Sequence, residues 1–166
     1  MDEVRFACDA MLGTLARWLR FAGFDTLFEP GIADPVLVAT SRAEGRWLLT
    51  RDRRLAAHAG PRSVLLRQTA LDAQVQEVRA RLPIEVDPGR YLSRCPRCNH
   101  PLEAVGAESV REIVPPYVAT HATAFRRCPG CGRCYWRGTH VRRIERRLGE
   151  LLAEPGAGGG PDVTGR

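Results

Sequence analysis

Along residues 4 to 82, short apolar runs alternate with stretches of helical periodicity, and this rhythm sets the first expectation. "VRFAC" is a continuous apolar run of strand length, after which Leu12, Leu15, Ala16, Leu19 and Ala22 recur at helical spacing until Gly23 ends the helix. "TLF" predicts a short second strand. Asp34 and Pro35 predict an N-cap and first-turn pair, opening a helix that runs to about Glu44 and stops at Gly45. "WLLT" predicts a third strand, Arg53 to Ala59 a short helix closed by Gly60, and "SVLLR" a fourth strand. Thr69 and Asp72 have capping-box spacing for a last helix reaching about Leu82. Strands that are apolar throughout, set between helices, predict a parallel sheet covered on both faces. Residues 1–86 are therefore expected to form a three-layer α/β/α domain.

The pattern changes near Pro83, Asp87, Pro88 and Gly89, which mark a linker. Residues 91–153 carry two Cys-x-x-Cys turns, "CPRC" and "CPGC", and then "THVRRIERRLGELLA", a closing basic helix. The tail, residues 154–166, is rich in Gly and Pro and is expected to be disordered. Cys95, Cys98, Cys128 and Cys131 supply four thiolates as two tight turns, which suits a tetrahedral zinc ion at ~2.3 Å from each sulfur. With all four positions taken by protein, such a zinc is structural and does no chemistry. Cys134 falls outside the spacing, and Cys8 lies in a strand as a core residue.

Composition narrows the setting. The chain has 166 residues, 25 basic and 19 acidic, for a net charge of +6, and every basic residue is Arg. Residues 1–90 carry 13 Arg against 12 acids, and residues 91–166 carry 12 against 7, so a polyanionic partner would meet the C-terminal part. There is no secretory signal pattern and no run of ~18 apolar residues, so no membrane partner is expected and a cytoplasmic location is. The chain has no GxGxxG, GxxxxGK[ST] or GxSxG motif, which argues against a nucleotide-phosphate cradle and a serine-hydrolase elbow. A receiver domain would want a lysine, and none is present.

Acids stand where strands end. Asp9 follows the first strand and Asp52 the third, and ligands of open parallel sheets bind beyond such carboxyl ends. If the two strands are neighbours, carboxylates ~4 Å apart would repel by about 4 kcal/mol at an effective dielectric near 20, so a hard divalent cation would settle between them. Asp34 and Asp25 are candidates for a third ligand. Each acid also has a plainer reading: Asp34 and Asp52 as helix caps, Asp25 as a turn residue. Arg17, Arg20, Arg51, Arg53 and Arg54 lie near these ends and would suit phosphate contact, or are simply solvated. In the C-terminal part, Arg94, Arg97, Arg126, Arg127, Arg133 and Arg137 sit among Tyr91, Phe125, Tyr135 and Trp136, the makings of a single-strand nucleic-acid platform, with the aromatics expected mostly in a small core and the arginines facing the polyanion.

"CDAMLGTLARWLRFAGFDT", "EGRWLLTRDRRL", the two cysteine turns, "PPYV" and "YWRGTH" together resemble the Mut-seven C-terminal RNase domain family, a PIN-like nuclease domain fused to a zinc ribbon. The resemblance runs from about residue 5 to about residue 147. It implies a metal-dependent ribonuclease, with Asp9, Asp34 and Asp52 ligating catalytic Mg or Mn, and Cys95, Cys98, Cys128 and Cys131 holding zinc. RNA is the implied partner, and the ribbon offers a surface for a protein partner as well. Pro35 and Val36 stand where relatives tend to carry further carboxylates, which thins the acidic site. The competing expectations are a non-catalytic RNA-binding or ribosome-associated module and a toxin-type PIN nuclease.

Overall fold

The computed structural model describes residues 4–153; the tail expected to be disordered, 154–166, lies outside the described residues. Four strands, β1 (Phe6–Cys8), β2 (Thr26–Leu27), β3 (Trp47–Thr50) and β4 (Ser63–Leu65), form a parallel sheet in the order β2-β1-β3-β4. Phe6 pairs with Thr26 on one side and Trp47 on the other, while Leu49 pairs with Val64. Phe6, Cys8, Leu49 and Val64 point to one face, under α1 (Gly13–Phe21) and α4 (Leu71–Arg81). Ala7 and Leu48 point to the other, under α2 (Asp34–Ala43) and α3 (Arg53–Ala59). The alternation of facing follows from the two-residue period of a strand. It produces the three expected layers.

The C-terminal part adds β5 (Glu103–Val105), α5 (Pro116–His121), β6 (Phe125–Arg127) and β7 (Cys134–Trp136), with the strands antiparallel in the order β5-β6-β7. Val110, Val114 and Phe125 form its core with Trp136 packed against them, so two of the four aromatics expected there are in it; Tyr91 packs against the larger core instead, and the Tyr135 hydroxyl meets Cys95. The closing helix, α6 (Thr139–Leu152), behaves differently from a ribbon element. Its stripe of Ile144, Leu148 and Leu151 enters the larger core beside α1 and α4. Burying each of those side chains stabilises the fold by about 1.5–3 kcal/mol, so α6 staples the two parts together.

Two helix starts depart from the sequence expectation. Ala33, not Asp34, is the N-cap of α2; Asp34 is the first helical residue and makes no side-chain capping bond. The Thr69 and Asp72 capping box does not form either: Ala70 caps α4, and Asp72 is paired with Arg147 of α6. A tertiary ion pair has taken the carboxylate that a local cap would use.

A buried clamp fixes the ribbon to the sheet. Arg20 is 3% exposed. Its guanidinium donates to the carbonyls of Thr26 (2.9 Å) and Phe28 (3.2 Å) within the α/β domain, and to those of Arg97 (2.8 Å) and Pro96 (3.2 Å) in the first cysteine turn. The expectation that Arg20 contacts substrate is therefore corrected: its donors are committed to backbone carbonyls. Asn99 adds a second tie, accepting from Thr26 N–H at 3.0 Å and donating to Asp25 at 2.6 Å. Asp25 also pairs with Arg46 at 2.7 Å. Gly23 lets the linker approach. Its φ is +93°, and a Cβ there would lie 2.6 Å from the Arg90 carbonyl oxygen.

Burial alone would raise the Asp25 carboxyl, but hydrogen bonds from Arg46 and Asn99 and the Arg46 charge outweigh it and hold it below the usual range. A group depressed in the folded state contributes stability above its unfolded pKa of about 3.9, and that stability is lost as pH falls through the folded value. Asp25→Asn is thus expected to lower stability at neutral pH, with the gap to wild type closing below about pH 4. Urea unfolding across pH checks this; a gap that stays constant down to pH 3 would rule out the charged pair as the cause.

Candidate active site and metal centre

In the order β2-β1-β3-β4 the chain leaves β1 on one side and returns on the other, so the strand order reverses between β1 and β3. Asp9 and Asp52 emerge there, at the carboxyl ends of two adjacent strands. Asp9 is 5% exposed. One of its oxygens caps the turn Ala10–Leu12 by accepting from Met11 N–H at 2.8 Å. The other accepts the Thr50 hydroxyl and the Arg51 N–H, the latter at 3.2 Å. Thr50 in turn accepts from Asp52 N–H at 2.9 Å, so one buried hydroxyl links the two acids. Thr50 was not singled out in the sequence; a hydroxyl ending an otherwise apolar strand, directly before "RD", was the available signal.

Asp52 is exposed and caps α3, its Oδ1 accepting from Arg54 N–H at 2.6 Å and Leu55 N–H at 3.1 Å. The plain reading of Asp52 as a cap is borne out, and its capping bonds occupy one oxygen, Oδ1. Asp34 is exposed at the start of α2, at the same edge of the sheet because the helices run back against the strands. The three carboxylates share that edge without closing into one cage. Among the described residues, only the four cysteines form a group of three or more with every ligand atom within 4.8 Å of the rest. Asp25 lies at the opposite edge, just before β2, and takes no part.

The arginines divide. Arg51 is half-buried beside Asp9, and its Nε is buried without a hydrogen-bond partner among the described residues. A guanidinium donor left unmet is uncommon and favours an acceptor that the chain itself does not supply. Arg17 and Arg53 are exposed, whereas Arg20 belongs to the clamp. Cys8 stands behind Asp9, and burial, followed by the Asp9 charge, pushes its thiol up, so it stays protonated and inert.

The four ribbon cysteines are built as two superposable turns. Cys95 N–H donates to His100 O at 2.8 Å and Asn99 N–H to Cys95 O at 2.9 Å. Cys128 N–H donates to Arg133 O at 2.9 Å and Gly132 N–H to Cys128 O at 2.9 Å. The residue after the second cysteine is left-handed in both, Asn99 at φ 70° and Gly132 at φ 71°, as those two residue types allow. All four sulfurs lie within 4.8 Å of one another. Burial raises the Cys95 thiol, but the Tyr135 hydroxyl, 3.1 Å away, and the backbone N–H groups of Cys98 and Arg97 outweigh it and bring it down to about 6. Four sulfurs, closed to further ligands, fit a metal such as zinc in a structural role. Cys134, whose Sγ lies 3.8 Å from the Gly132 carbonyl oxygen, stands outside the group.

Residues 4–148 match the Mut7-C RNAse domain. The chain belongs to that family. No curated protein matched the chain, and no solved structure did. Among the described residues of this Mut7-C chain, no helix is long and apolar enough to cross a membrane.

Two outcomes test these centres. Cobalt bound to the Mut7-C chain is expected to give the intense charge-transfer bands of four thiolates at one ion per chain, with zinc displacing it and Cys128→Ser weakening both the bands and the affinity. Bands unaffected by Cys128→Ser would place the ion elsewhere. Thr50→Val is expected to cost about 1–3 kcal/mol of stability, because Asp9 loses a buried donor and the Asp52 N–H its acceptor. Thr50→Ser should restore most of it, and a valine variant as stable as wild type in urea would show that the hydroxyl holds neither acid.

Proposed function

We propose that the chain is a metal-dependent ribonuclease that hydrolyses RNA phosphodiester bonds at the Asp9 and Asp52 crevice. The observation that carries this is the pairing of two acids at the strand-order reversal, joined through Thr50, with the unmet Arg51 donor beside them. Membership of the Mut7-C RNAse family supports the nuclease class. Magnesium or manganese fits the donor set, because such ions take one or two carboxylates, keep several waters and draw further oxygens from substrate phosphates. Asp9 and Asp52 would hold the ion, with Asp34 as a further oxygen donor from the start of α2. When bound, the ion would acidify a water and neutralise charge on the phosphate under attack.

The chain's own groups have separable tasks. Thr50 and the Arg51 N–H fix the Asp9 carboxylate, so its geometry is set before substrate arrives. The α3 N-terminus orients Asp52 through its capping bonds. Arg51 would meet a non-bridging phosphate oxygen, and exposed Arg17 and Arg53 would follow the RNA backbone. The zinc ribbon would contribute RNA or partner contact and no chemistry.

A second reading has an observation of its own. Asp9 and Asp52 each serve as a cap, and the three acids do not close into a cage, which a non-catalytic RNA-binding or ribosome-associated module would also display. Cleavage separates the two. Labelled single-stranded and structured RNAs are incubated with zinc-loaded protein, with manganese, with magnesium, or after dialysis against metal-free buffer so that zinc is retained. Manganese- or magnesium-dependent cleavage is expected, with Asp9→Asn and Asp52→Asn reducing it by at least about 100-fold. Wild-type protein that binds RNA and cleaves none under every condition would make the binding module the better account.

A further inference from the structure

The ribbon keeps one aromatic pair outside its core. α5 turns Val118 and Ala119 inward, toward the core of Val110, Val114 and Phe125, and this leaves Tyr117 and His121 on its outer side. Tyr117 is 71% exposed. The rings of Tyr117 and His121 stack with centroids 4.1 Å apart and planes 17° from parallel. The imidazole is held in place on its inner edge, Nδ1 lying 2.8 Å from the Tyr117 carbonyl oxygen and 2.7 Å from the Thr120 hydroxyl. Packing does not require this arrangement. A tyrosine left in water contributes little to folding, yet here it is presented flat and braced by a second ring.

The surroundings have the charge and shape of a nucleic-acid surface. Residues 91–138 hold seven arginines against three glutamates, a net of +4. Ala122 and Thr123, directly after His121, line an open groove of about 410 Å³ with Ala104, Val105, Phe125 and Arg126. Small side chains on its floor leave room for a flat ring, and Arg126, exposed on β6, brings a cation to its wall. Ile113, just before α5, is also exposed.

We propose that the Tyr117 and His121 stack is a base-stacking platform by which the ribbon grips single-stranded RNA, with a base on the open face of Tyr117 and the backbone along the ribbon's arginines. Stacking on an aromatic face over a basic groove is sequence-tolerant, because every base offers a π-face. The platform gives the proposed nuclease a grip on RNA apart from its acidic crevice, and it rests on that reading only in taking RNA as the polyanion.

The test measures binding of a short fluorescein-labelled single-stranded RNA of mixed sequence to the zinc-loaded full chain, without magnesium or manganese, so that cleavage plays no part. Tyr117→Ala is expected to weaken binding about 5- to 100-fold, and Tyr117→Phe to stay within about twofold of wild type. The salt dependence of binding should be unchanged in both, because neither removes a charge, whereas Arg126→Gln should lower the slope of log K against log salt by about one. An unchanged cobalt spectrum in each variant shows that the ribbon is intact. Tyr117→Ala binding RNA as tightly as wild type, the result expected if the stack docks a protein instead, would overturn the proposal. So would an equal loss in Tyr117→Phe. The nuclease reading fails separately, on absent cleavage, and a chain that cleaves nothing while Tyr117→Ala weakens binding would keep the platform and lose the enzyme.

Discussion

One buried guanidinium holds the molecule to a single shape. Arg20 faces no carboxylate; its donors go to four carbonyls, two on either side of the junction between sheet and ribbon. Burial lowers its pKa, and the nearby cysteine sulfurs and Asp25 pull the other way. An arginine stays charged under such conditions, so the carbonyls of β2 and of the first cysteine turn must stay where they are to solvate it. The ribbon's folding is thereby coupled to the sheet. A metal that orders Cys95 and Cys98 also orders Pro96 and Arg97, and through them the position of α1, whose start lies directly behind Asp9. The domain boundary marked by prolines and glycines is thus a packed joint.

That joint is also where sequence pattern was least informative. Continuous apolar runs and 3.6-residue spacing located all four strands and the helices between them, because burial on both faces of a parallel sheet leaves little freedom in residue choice. The paired cysteines were legible for a similar reason: two turns with fixed spacing have few other uses. Arg20 reads from the sequence as a phosphate contact or a solvated side chain, although it lies four residues after buried Ala16 and therefore on the helix's apolar stripe. Asp72 had the right spacing for a local cap and was used across space by Arg147. Local codes state what a residue can do with its neighbours in sequence. They carry no information about a partner 75 residues away.

The acidic crevice was half legible. Topology, once the strands are known to adjoin, does place Asp9 and Asp52 together, whereas pattern alone left an acidic site level with plain caps and turns. What pattern could not reveal is how Asp9 is satisfied. Its three donors, the Met11 N–H, the Thr50 hydroxyl and the Arg51 N–H, are all neutral groups. They satisfy the hydrogen bonds of a buried carboxylate, and among the described residues no ion pair is made to it, unlike Asp25, which has Arg46. A buried anion without a counter-ion is costly in a purely structural role, since a neutral cap such as Asn would give the same turn. The contrast between buried Asp9 and half-buried, ion-paired Asp25 is the strongest physical reason to read Asp9 as functional.

The same contrast bears on how RNA would approach. The carboxylates at the Asp9 and Asp52 edge repel phosphate until a cation is in place, and the arginines beside them, Arg51 and Arg53, offset only part of that repulsion. The ribbon has the opposite character, a net of +4 over residues 91–138 and an aromatic face turned to water. In the proposed reading, capture on the basic part and chemistry at the acidic one would avoid building a site that is both attractive to phosphate and rich in carboxylates. It requires that the two parts keep a fixed separation, because RNA held on a swinging ribbon would reach the crevice only by chance. The carbonyl-solvated Arg20, the Asn99 to Asp25 bond and the α6 stripe supply that rigidity. Each is a contact that a chain of two independent modules would have no reason to make.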